Sequence, residues 1–211
     1  MAYNQEEQEQ LDLVKAWWDQ YGKLVLLVVI AALLTFAAFQ GWGYYRHQQS
    51  IAAVTLYVQL EQAQRSNEAK KVRDVAAEIA GKYASTPYAA MANLAAARAA
   101  YSTGEFAEAK TRLQWVIDNG RQDEMRHVAR LRLAGILLDE KRYDAALTLL
   151  ESKSAGAFSA LFANLKGDIL VAQGRPAEAR SAYQFAYDKS GPDSPYRNLI
   201  QAKLDALGDA K

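Results

Sequence analysis

The sequence predicts an all-α protein: a single N-terminal transmembrane helix followed by a solenoid of antiparallel helical hairpins with a C-terminal capping helix. Three observations predict it. Residues 24–39 read LVLLVVIAALLTFAAF, an apolar run with no charge, glycine or proline. Beyond Arg46 the chain is rich in alanine and other helix formers and lacks the apolar–polar alternation of strands. A ten-residue pattern then recurs three times, as GEFAEAKTRL (104–113), KRYDAALTLL (141–150) and GRPAEARSAY (174–183).

The apolar character extends to Tyr45, so residues 24–45 give 22 positions. About 20 helical residues cross a hydrocarbon layer of ~30 Å. Lys23 and Arg46 bound the stretch, with Trp17, Trp18 and Tyr21 on one rim and Trp42, Tyr44 and Tyr45 on the other. Aromatics at both rims fit an interfacial belt. A cleaved leader has a basic start and a shorter apolar core. Here the preceding tail is acidic (Glu6, Glu7, Glu9, Asp12) and the run is long, so it reads as an uncleaved anchor. The tail has Leu11, Val14 and Trp18 at helical spacing, a short amphipathic helix running into the span. Lys15 and Lys23 before the span, against Arg46 and a distant Arg65 after it, lean slightly to a cytoplasmic N-terminus. The expected divisions are a tail (1–23), a span in the lipid bilayer (24–45) and one helical domain (46–211).

Within that domain, breakers separate helices expected over 48–65, 68–83, 87–102, 105–119, 123–141, 143–152, 157–173, 176–189 and 195–207. Pro87 and Pro176 stand at helix starts, where a missing N–H costs nothing. Short connections make successive helices antiparallel neighbours.

The repeats are offset by 37 and 33 residues, near the roughly 34-residue period of tetratricopeptide hairpins. Ala109, Ala146 and Ala179 are equivalent in the second helix of each hairpin. Ala97, Ala134 and Gly167 precede them by 12 residues, in the first helix. Small residues at both points let two backbones approach. Leu113, Leu150 and Tyr183 follow one turn later as fillers. Gly104 and Gly174 supply the outer two turns, and Lys141 replaces glycine in the middle repeat, whose turn should be the least ideal. Residues 48–83, with Ala63, Val75 and Ile79, read as a degenerate first hairpin, and 195–207 as the cap a repeat array needs.

Composition excludes several activities. The chain has no cysteine, which removes thiol nucleophiles and cysteine-based zinc sites. Its net charge is +1, too small for a nucleic-acid footprint. Its two histidines, His47 at the membrane rim and His127 at a helix start, are expected as rim and surface residues. No cofactor loop, metal spacing or nucleophile elbow occurs, so no enzymatic activity and no cofactor are expected. What the hairpins offer is a concave face made by their first helices. Its candidate partner-binding residues are Met91, Leu94, Arg98 and Tyr101, then Val128, Leu131 and Leu138, then Leu161, Asn164, Asp168 and Val171. That mixture of apolar and charged side chains suits a peptide or a partner helix.

The tail VKAWWDQYGK (14–23), a single anchor and the repeats occur together. With LRLA (131–134), DAAL (144–147), LKGDILVAQG (165–174) and ARSAYQFA (179–186), the chain resembles the YfgM-type ancillary subunits of the bacterial Sec translocon. The resemblance implies an inner-membrane, single-pass protein with its helical domain in the periplasm. It further implies association with the SecYEG channel and the membrane-anchored chaperone PpiD, and handling of exported polypeptides by a non-enzymatic adaptor. Scaffolding of another envelope assembly, for division or cell-wall synthesis, would use the same fold.

Overall fold

The computed structural model describes residues 3–151 and 155–208; the side chains of residues 3–9 and of Val14 are outside that description. The tail residues Met1 and Ala2, the Val14 side chain of the amphipathic stripe, and the expected end of the sixth helix at Ser152 therefore lie outside the described residues. The chain divides into two compact units, Met1–Gln49 and Ser50–Lys211.

Helix α1 is Tyr3–Arg65. In the first unit it carries the apolar run. Every large apolar side chain from Leu26 to Phe39 is exposed, from 47% at Val29 to 77% at Phe39. Among the described residues, one helix is thus long and apolar enough to cross a membrane. Thr35 hides its hydroxyl by donating to the Ala31 carbonyl at 2.8 Å, as expected of a hydroxyl in an apolar helix. Trp17 lies 5.9 Å from Tyr21, and the Trp18 ring covers Gly22. Arg46 is over the Trp42 ring at 5.4 Å.

The second unit begins with the end of α1. It continues through α2 (Ala69–Lys82), α3 (Pro87–Ser102), α4 (Phe106–Asn119), α5 (Asp123–Asp139), α6 (Tyr143–Leu150), α7 (Ser159–Ala172), α8 (Pro176–Lys189) and α9 (Arg197–Ala206), with a short 3₁₀ turn Gly156–Phe158 before α7. Consecutive helices pack against each other from α2 to α9. The first helices of neighbouring hairpins also touch, α3 against α5 and α5 against α7. That second set of contacts makes a solenoid rather than a bundle.

Four turns close alike. Asn67, Gly104, Lys141 and Gly174 all take a left-handed backbone, with φ of 55°, 78°, 58° and 74°. The next N–H in each case bonds back five residues. Glu68 reaches Ala63, Glu105 reaches Ala100, Arg142 reaches Leu137 and Arg175 reaches Leu170, at 2.8–2.9 Å. This is the closure of a Schellman motif. The Lys141 turn makes the same bonds as its glycine counterparts, so its handicap is backbone strain and not lost pairing. Asn67 shows that the degenerate first hairpin is a true fourth copy.

In that copy the packing residues are rearranged. Leu60, Val72 and Ala76 are all buried. They stand where the other repeats have small, small and large. The large side chain has moved to the first helix. The register expected on Val75 and Ile79 is displaced accordingly: Val75 is half-buried and Val72 takes the central position. Elsewhere the expected pairs are present. Ala97, Ala134, Ala109, Ala146 and Ala179 are at most 2% exposed, and Gly167 is buried. The core runs as three successive clusters, bridged by Trp115 between the first and second and by Leu147 between the second and third.

Candidate partner-binding surface

The 37- and 33-residue offsets put the first-helix positions into four rows: Met91/Val128/Leu161, Leu94/Leu131/Asn164, Arg98/Gly135/Asp168 and Tyr101/Leu138/Val171. The structure treats them unequally. Leu94 is buried at 7%. Val128, Leu131 and Leu138 are half-buried against the central cluster. Met91 and Leu161 are half-buried, and Arg98, Tyr101 and Val171 are exposed.

The first helix of the last hairpin, α7, is engaged by the cap. Lys203 of α9 donates to both Asp168 carboxylate oxygens, at 2.7 and 2.9 Å, and to Asn164 Oδ1 at 3.0 Å. Tyr183 Oη donates to Asp168 Oδ1 at 2.7 Å. Desolvation of the ring, then the bond to Asp168, then the Asp168 charge raise the Tyr183 phenol well above its ordinary value. Asn164 and Asp168 thus hold α9 onto the stack.

Between α3 and α5 the face opens instead. A cavity of about 440 Å³ has Ala97, Leu113 and Ile136 in its floor and Leu138 on its wall. Gly135 leaves a gap there: a Cβ added to it would meet nothing within 4 Å. Arg98 and Arg132 stand on one rim. On another part, Tyr101 Oη donates to Asp139 Oδ2 at 3.1 Å, which raises the phenol. Arg132 Nη1 donates to the Leu94 carbonyl at 3.3 Å. Desolvation and then the Arg98 charge lower the Arg132 guanidinium from its ordinary value.

So of the candidate residues, Arg98, Tyr101 and Leu138 share one cavity, while Leu94 is part of the core. Arg132 and Gly135 were missed. Gly135 could have been found, because it fills the Arg98/Asp168 row; Arg132 is off the expected face. A larger concavity of about 620 Å³ lies among α6, α7 and α8, with Leu150, Phe162, Leu170 and Phe185 on its walls.

The expected surface position of His127 is corrected. It is 5% exposed, with its ring 5.4 Å from Phe158 and edge-on to Phe162 at 5.5 Å. Folding the 3₁₀ turn and α7 over α5 buries it. Among the described residues no group of three histidines, aspartates or glutamates is arranged to hold a metal ion.

The chain is similar to known proteins over nearly its whole length. A family model described as a tetratricopeptide repeat-like domain matches residues 15–209. A protein of Neisseria gonorrhoeae called ancillary SecYEG translocon subunit is 33% identical over 210 residues, covering 98% of this chain and 100% of that one. Proteins of the same name from Escherichia coli and Haemophilus influenzae are 28% and 26% identical, over 98% of this chain and 99% and 100% of theirs.

Proposed function

Because this chain belongs to the tetratricopeptide repeat-like family, and within it to the ancillary SecYEG translocon subunits, we propose that it is a membrane-anchored, non-enzymatic adaptor of the Sec translocon. One observation carries the reading: a single chain joins an exposed apolar helix of membrane-crossing length to a stack of hairpins whose first-helix face opens into a cavity. The apolar helix holds the protein in the inner membrane, with residues 1–23 in the cytoplasm and residues 46–211 in the periplasm. Tethering raises the local concentration of the cavity near the channel, so that a modest affinity suffices. The face binds exported polypeptides or the membrane-anchored chaperone PpiD, without chemistry of its own.

Photo-crosslinkable residues at Met91, Tyr101 and Val171 test this in living cells. Adducts with SecYEG subunits, PpiD or nascent exported chains are expected. A well-expressed protein that gives none of these refutes the reading. A reporter fused after Lys211 should be active only in the periplasm, and cytoplasmic activity would overturn the topology.

A further inference from the structure

The α3–α5 cavity has a charge arrangement that sets it apart from the rest of the stack. Three other basic residues that link helices meet carboxylates. Arg73 of α2 pairs with Glu105 and Glu108, Lys110 with Glu140, and Lys203 with Asp168. Arg98 and Arg132 face the same cavity, and among the described residues neither makes an ion pair. Two guanidiniums on one rim repel each other, and an anion between them relieves that repulsion. Among the described residues the one carboxylate on that rim, Asp139, already accepts the Tyr101 hydroxyl. Beside the arginines the floor is apolar, and Gly135 leaves room for a side chain that the protein does not itself supply. In the same row of the next repeat, the corresponding place is taken by Asp168 and plugged by Lys203. The Gly135 position is thus vacant, cationic and apolar where the Asp168 position is filled.

We infer that this cavity receives an extended peptide segment in which an aspartate or glutamate side chain stands beside a large apolar one. The carboxylate bridges Arg98 and Arg132, and the apolar side chain fills the space over Gly135. A volume near 440 Å³ is within the range of small-ligand pockets and takes one large side chain with the backbone that carries it. The planar guanidinium fork favours a carboxylate over a neutral amide acceptor. This inference rests on the adaptor reading of the same face and names the chemistry of what it binds.

The test uses the full-length protein in detergent and two short fluorescein-labelled peptides in a Gly/Ser frame, one carrying Glu-Leu-Phe and the other Gln-Leu-Phe. Fluorescence anisotropy should show the glutamate peptide binding about tenfold more tightly, as expected when charge-assisted bonds are lost. Arg98→Gln and Arg132→Gln should abolish that preference. Gly135→Phe should remove binding of both peptides, while Gly135→Ala keeps it; circular dichroism checks that each variant is folded. Equal affinity for the two peptides, no binding of either, or a preference that survives Arg98→Gln overturns the inference. So does self-association that depends on Arg98 and resists peptide competition, since the occupant is then a second copy. If the peptides are not discriminated but Tyr101 still crosslinks to SecYEG or exported chains in cells, the inference fails and the adaptor reading stands. Loss of those adducts would sink the adaptor reading itself.

Discussion

Two glycines adjacent in the repeat frame should respond to the same substitution with opposite signs. A Cβ at Gly167 would be 2.3 and 2.4 Å from two carbons of the Tyr183 ring, far inside contact distance. That ring cannot swing away freely. It is 3% exposed, and its hydroxyl is held by Asp168, which also holds Lys203 of the cap. Gly167→Ala gains up to about 1 kcal/mol of helix propensity. Against this, forcing a methyl into a filled site costs about 1–3 kcal/mol, and straining a hydrogen bond to a charged acceptor puts a further ~1.5–3 kcal/mol at risk. The net expectation is a loss of about 1.5–5 kcal/mol. At Gly135 the added methyl meets nothing, so Gly135→Ala should gain about 0.5–1 kcal/mol. For a domain of this size each kcal/mol moves the midpoint by roughly 2–4 °C. Thermal and urea unfolding of the full chain in detergent measure both changes. Adding Tyr183→Leu to Gly167→Ala should turn the loss into a gain by removing the obstacle. A Gly167→Ala protein as stable as the parent would refute the reasoning, because the ring would then be free to move.

Three other outcomes follow from the same structure. The Tyr183 phenol is raised in the folded state, so folding favours its protonated form. This contribution is fully present below the ordinary tyrosine value of 10.0 and is lost as pH rises above it, because the unfolded state ionises first. Urea midpoints of the parent should therefore fall more steeply than those of Tyr183→Phe above about pH 10. Lys141→Gly relieves a left-handed backbone at φ 58° and should stabilise by about 1 kcal/mol, read by the same unfolding curves. His127→Ala removes a ring packed between Phe158 and Phe162 and should cost about 2–4 kcal/mol, while crosslinking from Tyr101 is unchanged at a temperature where the variant remains folded.

What was legible in the sequence follows from local and periodic physics. The apolar run announces itself by composition, and the twelve-residue spacing of small residues survives because two helix backbones can approach only where side chains are small. The break at Ser66-Asn67 is legible, but its equivalence to the Gly104 turn is not, because asparagine tolerates the left-handed region without the signature of glycine. The transposed Leu60, Val72 and Ala76 escaped because packing conserves volume across an interface, not the identity of the side that supplies it. His127 escaped because its burial depends on the 3₁₀ turn and α7, some thirty residues further on.

The sequence by itself therefore determined that the chain has a membrane-length apolar helix, a stack of hairpins, and a face built from their first helices. Only the tertiary structure decided which parts of that face are open. Asn164 and Asp168 look as available in the sequence as Arg98 and Tyr101, but Lys203, 35 residues beyond Asp168, occupies the first pair and leaves the second beside a vacancy. Periodicity records which side of a helix a residue occupies. Whether a distant helix covers that side depends on long-range charge pairing and packing, which leave no periodic trace.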